Sequence, residues 1–171
     1  MKLITSTLFI FLIFFQVNAD EQIKVRFVYI DFIFKNSTAG KKISKTIIDK
    51  RKLIIKKSKD KEEKLTKQKS DIISKQNVLE KTDFEKKVVS HQKEVQEFQN
   101  KRNNDLKDLN KTNVKMTTNF LKKLDQIMLD YANENKIDLI LKKETLIVSN
   151  SKLDITKDIL SIVDDKIKKV D

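Results

Sequence analysis

Apolar residues recur thinly from Ile43 onward, at Ile43, Ile47, Ile54, Leu65, Ile72 and Leu79. Their spacing is close to the roughly 3.5 residues of a coiled-coil seam, with Arg51 and Ser58 standing where such a seam would take leucine. A fuller series follows at Phe84, Val88, His91, Val95, Phe98, Arg102, Leu106, Leu109, Met116, Phe120, Leu124, Ile127 and Tyr131, mostly in steps of four and three. Between the two lies a polar break at 76–83, where Thr82 or Asp83 is suited to cap a second helix. The pattern predicts a helical hairpin over 41–127 with its tip near 78–83. A single continuous helix is the alternative. Each arm of the hairpin would extend about 60 Å at about 1.5 Å per residue.

The flanks are patterned differently. Val25-Arg26-Phe27-Val28-Tyr29-Ile30 is β-branched and aromatic and predicts a strand covered on both faces. Leu139-Ile140-Leu141 and Leu146-Ile147-Val148 predict two further short strands around a tight connection at 142–145. Asp154 or Thr156 is placed to cap a last helix whose apolar side is Ile155, Ile159, Leu160, Ile162, Val163 and Ile167. Residues 20–40 and 128–171 thus form a small body, too small to cover its own strand edges. Strands from several copies combining into one sheet system would solve that problem. The fold class expected is α+β, a β-rich oligomerisation body with helical hairpin arms.

The first 19 residues stand apart. Met1-Lys2 is a short positive start, 3–15 is mostly apolar, and Val17-Asn18-Ala19 supplies small residues at cleavage spacing. This is the pattern of a secretory signal peptide cut after Ala19, and its apolar stretch is shorter than the roughly 20 residues of a spanning helix. The expected product is exported. It has no cysteine, so disulfides contribute nothing to its stability.

Charge sharpens the reading of the arm. Residues 41–127 hold 25 Lys or Arg against 13 Asp or Glu, while the rest of the chain holds 12 of each, so the whole net charge of +12 sits on the hairpin. Its first helix contributes Lys41, Lys42, Lys45, Lys50, Arg51, Lys52, Lys56, Lys57, Lys59, Lys61, Lys64, Lys67 and Lys69. Such a run is usually a solvated face. Here 14 basic residues oppose 5 acidic ones over 41–75, a self-repelling concentration that favours a role in attracting acidic partners. Phe84, Phe98 and Phe120 are the arm phenylalanines and are candidate apolar contacts for a bound chain, although their heptad register favours packing within the hairpin. His91 lies on the same seam and reads as a tolerated polar core residue, with neither a metal nor a proton-switch partner in the sequence.

Catalysis has little to build on. With one histidine, no cysteine and one glycine, the chain lacks the parts for thiol chemistry, metal ligation or a phosphate-cradling loop. A non-enzyme without cofactors is expected.

The flanking segments also carry a resemblance. Phe27-Val28-Tyr29-Ile30-Asp31, Phe34 and Ser37-Thr38-Ala39-Gly40-Lys41 resemble the opening of the Skp (OmpH-like) periplasmic chaperones. The closing stretch from Asn135-Lys136-Ile137-Asp138 through Leu146-Ile147-Val148 to Leu153-Asp154-Ile155-Thr156 is similar to the end of that family. The two blocks stand in the family's order around a lysine-rich hairpin and together cover nearly all of 20–171. Thr38 departs from the proline that many relatives carry, which implies a less rigid helix entry, with Asn36, Ser37 or Thr38 left to cap it. The resemblance implies a homotrimer whose arms enclose a cavity. It also implies an ATP-independent holdase that keeps unfolded outer-membrane β-barrel proteins from aggregating in the periplasm and delivers them for assembly. In the body, Val25, Phe27, Val28, Tyr29, Ile30, Leu139, Ile140, Leu141, Leu146, Ile147 and Val148 are then the residues expected to oligomerise. A structural or adaptor coiled-coil protein of the envelope is the alternative, and Arg51, Ser58 and Arg102 argue against the continuous seam it would need. The positive charge permits transient contact with an anionic membrane surface or lipopolysaccharide, though no motif maps a lipopolysaccharide site. Export argues against nucleic acid as a partner.

Overall fold

A computed structural model describes residues 22–168. The expected signal peptide lies outside the described residues. The chain runs from strand β1 (Val25–Val28) through helices α1 (Ile30–Asn36), α2 (Thr38–Ser74) and α3 (Lys81–Asn135) to strand β2 (Leu139–Lys142) and helix α4 (Thr156–Lys166). Two single 3-10 turns, Lys143–Thr145 and Ser151–Leu153, lie between β2 and α4.

Ser37 makes the elbow from which the hairpin rises. Its amide closes α1 on the carbonyl of Ile33 at 2.8 Å, while its Oγ accepts from the amide of Gly40 at 3.1 Å and so caps α2. The side chain is fully buried. Thr38, at the first position of α2, donates its amide to Asp164 of α4 at 2.7 Å. A proline there would have no such donor, so the departure from the family pattern is used to tie the hairpin base to the last helix.

α2 and α3 then pair as antiparallel helices of 37 and 55 residues, about 55 and 80 Å long at about 1.5 Å per residue. The reversal occupies residues 75–80, earlier than the expected 78–83, and Glu80 precedes α3 as N-cap residue without a side-chain cap bond. Thr82 and Asp83 therefore lie inside the first turn. Asp83 is favoured there by the positive end of the helix dipole. α3 ends at Asn135 with Lys136 left-handed (φ 52°), the amides of Lys136 and Ile137 returning to the carbonyls of Asn133 and Ala132. That is a Schellman closure with lysine where glycine is usual.

The core lies where the hairpin meets the body. Val28, Ile33, Ala39, Ile43, Phe120, Leu124, Ile127, Ile155, Ile159, Val163 and Ile167 pack into one buried cluster. The last helix supplies the apolar side read from its sequence. Asp154 accepts from the amide of Thr156 at 2.8 Å, and Thr156 in turn accepts from the amide of Tyr29 at 3.0 Å. Both candidate caps are thus engaged, although Ile155 occupies the formal N-cap position.

Only part of the expected sheet forms. β1 and β2 pair in parallel, Val25 opposite Leu139 and Val28 opposite Lys142. The other edge of β1 is taken by a bridge to Asp154, with the amide of Ile155 donating to the carbonyl of Phe27 at 3.1 Å. Tyr29 and Ile30 do not extend β1. The chain turns at Tyr29, whose ψ of 97° and role as N-cap start α1 directly, a helix the sequence pattern did not suggest. Leu146-Ile147-Val148 is not a strand. The 3-10 turn before it satisfies its carbonyls locally, with Leu146 N–H bonding Lys143 and Thr145 Oγ bonding Lys142, which diverts the chain from a hairpin with β2. Ile147 and Val148 project into solvent at 100% and 87% exposure.

Candidate functional site

The basic excess proves to be a property of one helix. α2 holds all 13 basic residues singled out above against 5 acidic ones, whereas α3 holds 11 against 9. Among the described residues Lys61 alone of the thirteen is in an ion pair, with Glu94 at 2.5 Å. That contact holds the Glu94 carboxyl below its ordinary value, mainly through the Lys61 hydrogen bond. Arg102 pairs in the other direction, with Glu62 at 2.8 Å. These two cross-helix pairs replace hydrocarbon at the middle of the hairpin.

The apolar seam is correspondingly broken. On the distal arm Leu65 and Leu109 are buried, and the next fully buried positions lie at the base, from Phe120 and Ile43. Leu106, read as a seam residue, is 40% exposed, and Asp105 beside it lines the open trough. Two open troughs result, of about 720 and 660 Å3. Ile48, Leu53, Ile55, Ile73, Val78, Val89 and Val114 stay more than half exposed along the arm. An arm of this kind presents scattered apolar groups in a cationic field.

The three phenylalanines separate sharply. Phe120 has no exposed surface and meets Phe34 edge to face, ring centres 5.2 Å apart at 83°. It is a core residue at the base, so the expectation of a client contact does not hold for it. Phe84 is half-buried near the tip. Phe98 lines both troughs and is half-buried, the best placed of the three to meet a bound chain. Sequence register could not separate them, because all three occupy equivalent seam positions.

His91 is half-buried on the seam, with Nε2 2.9 Å from the carbonyl of Leu65. With the carbonyl as acceptor, the ring nitrogen donates, and the histidine serves as an interhelical strut. In the body, Phe27 and Val28 are buried. Val25, Ile30, Ile140, Leu141 and Leu146 are half-buried, while Tyr29, Leu139, Ile147 and Val148 are exposed. The described residues contain no cluster of three or more metal-ligating side chains.

A long cationic helical hairpin with an open seam rises from a small strand-bearing body. The chain belongs to the OmpH-like outer membrane protein family, whose model matches residues 24–163. Its fold is that of a candidate outer membrane chaperone (OmpH-like) from Caulobacter crescentus CB15, with a TM-score of 0.81 at 16% identity over 86% of this chain and 88% of that one. No curated protein matches the sequence significantly.

Proposed function

We propose that this protein is an ATP-independent periplasmic holdase that shields unfolded outer-membrane β-barrel proteins between the arms of a homotrimer. The observation that carries the reading is the arm itself: an α2 with a net charge of +8 beside exposed aliphatic side chains on a seam left open over its middle. Charge steers an acidic chain in from a distance, and scattered apolar contacts hold it weakly. Many such contacts inside one cavity give avidity while each is easily released. Family membership and the chaperone assigned to the similar structure support it.

The open edge of β2 and the exposed Ile147 and Val148 support association of several copies, which the trimer reading requires. A fixed envelope adaptor is the weaker reading, since polar pairs at mid-arm do not specify a single continuous partner helix. The test expresses the full chain in a Gram-negative host, purifies it from the periplasmic fraction and dilutes a urea-unfolded outer-membrane protein into it. A trimer beginning at Asp20 that suppresses aggregation at equimolar trimer is expected. A monomer that leaves aggregation unchanged sinks the proposal.

A further inference from the structure

The larger trough sits where Ser58 of α2 and Arg102 of α3 occupy positions that leucines would close in a regular seam. Its apolar lining is Leu53, Ile54, Phe98 and Leu109. Leu53 is 52% exposed and Phe98 half-buried, so this surface is reachable, while Leu109 is buried at its floor. A volume of about 720 Å3 falls in the range that holds sizeable ligands.

The charge on its walls is unevenly satisfied. Lys61, Lys101 and Arg102 are already held by Glu94, Asp105 and Glu62, and the other two carboxylates at the trough, Glu97 and Asp108, pair along α3 with Lys93 and Lys111. Lys50 and Lys57, two turns apart on α2, are exposed at the same trough and make no ion pair among the described residues. They rise about 10.5 Å along the helix, a span that carboxylates two to four residues apart on an extended chain bracket at roughly 7 to 13 Å.

From this juxtaposition we infer that the mid-arm trough is a docking slot for an acidic, apolar-rich segment of an unfolded polypeptide. Apolar side chains enter against Phe98 and Leu53, and neighbouring carboxylates pair with Lys50 and Lys57 on the rim. The inference rests on the holdase reading and adds a site within each single arm, so that capture begins before a chain is enclosed.

The test measures fluorescence anisotropy of a labelled twelve-residue peptide alternating leucine or phenylalanine with glutamate, binding to the full, purified protein. Two variants probe the slot: Ser58→Leu, which fills the seam, and the double variant Lys50→Glu/Lys57→Glu, which reverses the rim. Each is expected to weaken binding by about tenfold, as is replacing the peptide's glutamates by lysine. Far-UV circular dichroism checks folding, and should Ser58→Leu fail to fold, the rim variant decides. Absent binding to the wild type, or wild-type affinity in a folded variant, overturns the slot. A loss of oligomer mass in Ser58→Leu also overturns it, because the trough would then hold a second copy. Suppression of client aggregation is scored separately. Wild-type protein that suppresses aggregation while the variants bind peptide unchanged leaves the holdase reading standing without the slot, and the converse result removes only the holdase reading.

Discussion

Gly40 lies so close to the end of α1 that a β-carbon built on it would stand 1.8 Å from the carbonyl oxygen of Phe34 and 2.7 Å from its carbonyl carbon. The chain's single glycine is therefore needed for close approach, and its backbone has no positive φ. Because the obstacle is backbone, a side chain here must push α2 off α1 and open the core around Ile43 and Phe120. Gly40→Ala is expected to cost at least about 2 kcal/mol, read as a lowered midpoint in thermal or urea unfolding. An unchanged midpoint would show that the elbow yields freely.

The bond from the Thr38 amide to Asp164 predicts a coupling between hairpin base and last helix. Asp164→Ala should destabilise by about 1–2 kcal/mol, since it removes a charged acceptor from the first turn of α2. In a Thr38→Pro background the donor is already missing, and proline suits that helical position. The same Asp164 change should then cost close to nothing, and equal costs in both backgrounds would refute the coupling.

Among the arm phenylalanines, burial predicts opposite outcomes. Phe120→Ala empties a fully enclosed site against Phe34 and should cost about 3–5 kcal/mol. Phe84→Ala near the tip should cost less than about 1 kcal/mol. Chemical unfolding of the two variants checks the ranking. Comparable losses would place the tip in the same cooperative core as the base.

Acid should remove the mid-arm contact between Lys61 and Glu94. The Lys61 contact lowers the Glu94 carboxyl below its ordinary value of 4.5, so its contribution is complete above that value and is lost as pH falls through the lower folded one. A carbon-detected NMR titration should show Glu94 titrating below its ordinary value of 4.5. In Lys61→Met that lowering should vanish, and a Glu94 that titrates at its ordinary value in the wild type would remove the ion pair from the account.

Periodicity alone located both long helices and the apolar side of α4, because each is a local pattern of side chains on one backbone, while the resemblance left Asn36, Ser37 or Thr38 as the helix entry and the structure uses Ser37. Leu106 was placed on the seam but stands exposed, since the heptad count follows hydrophobicity while the actual seam follows the turn of a helix that must also place Arg102 against Glu62. The strand expected at 146–148 failed for a related reason. Its residues have strand propensity, yet the preceding turn takes the carbonyls of Lys142 and Lys143 at the point where a hairpin with β2 would have to start.

The sequence by itself determined that this is a cationic helical hairpin set in a small strand-bearing body, because length, period and charge balance are sums over the chain. Only the tertiary structure decided that Phe120 is sealed and Phe98 accessible, and that Asp164 holds the hairpin's base. Those facts depend on which surfaces meet. Residues as far apart as Thr38 and Asp164 share no local signal, and their distance is fixed only when the core between them closes.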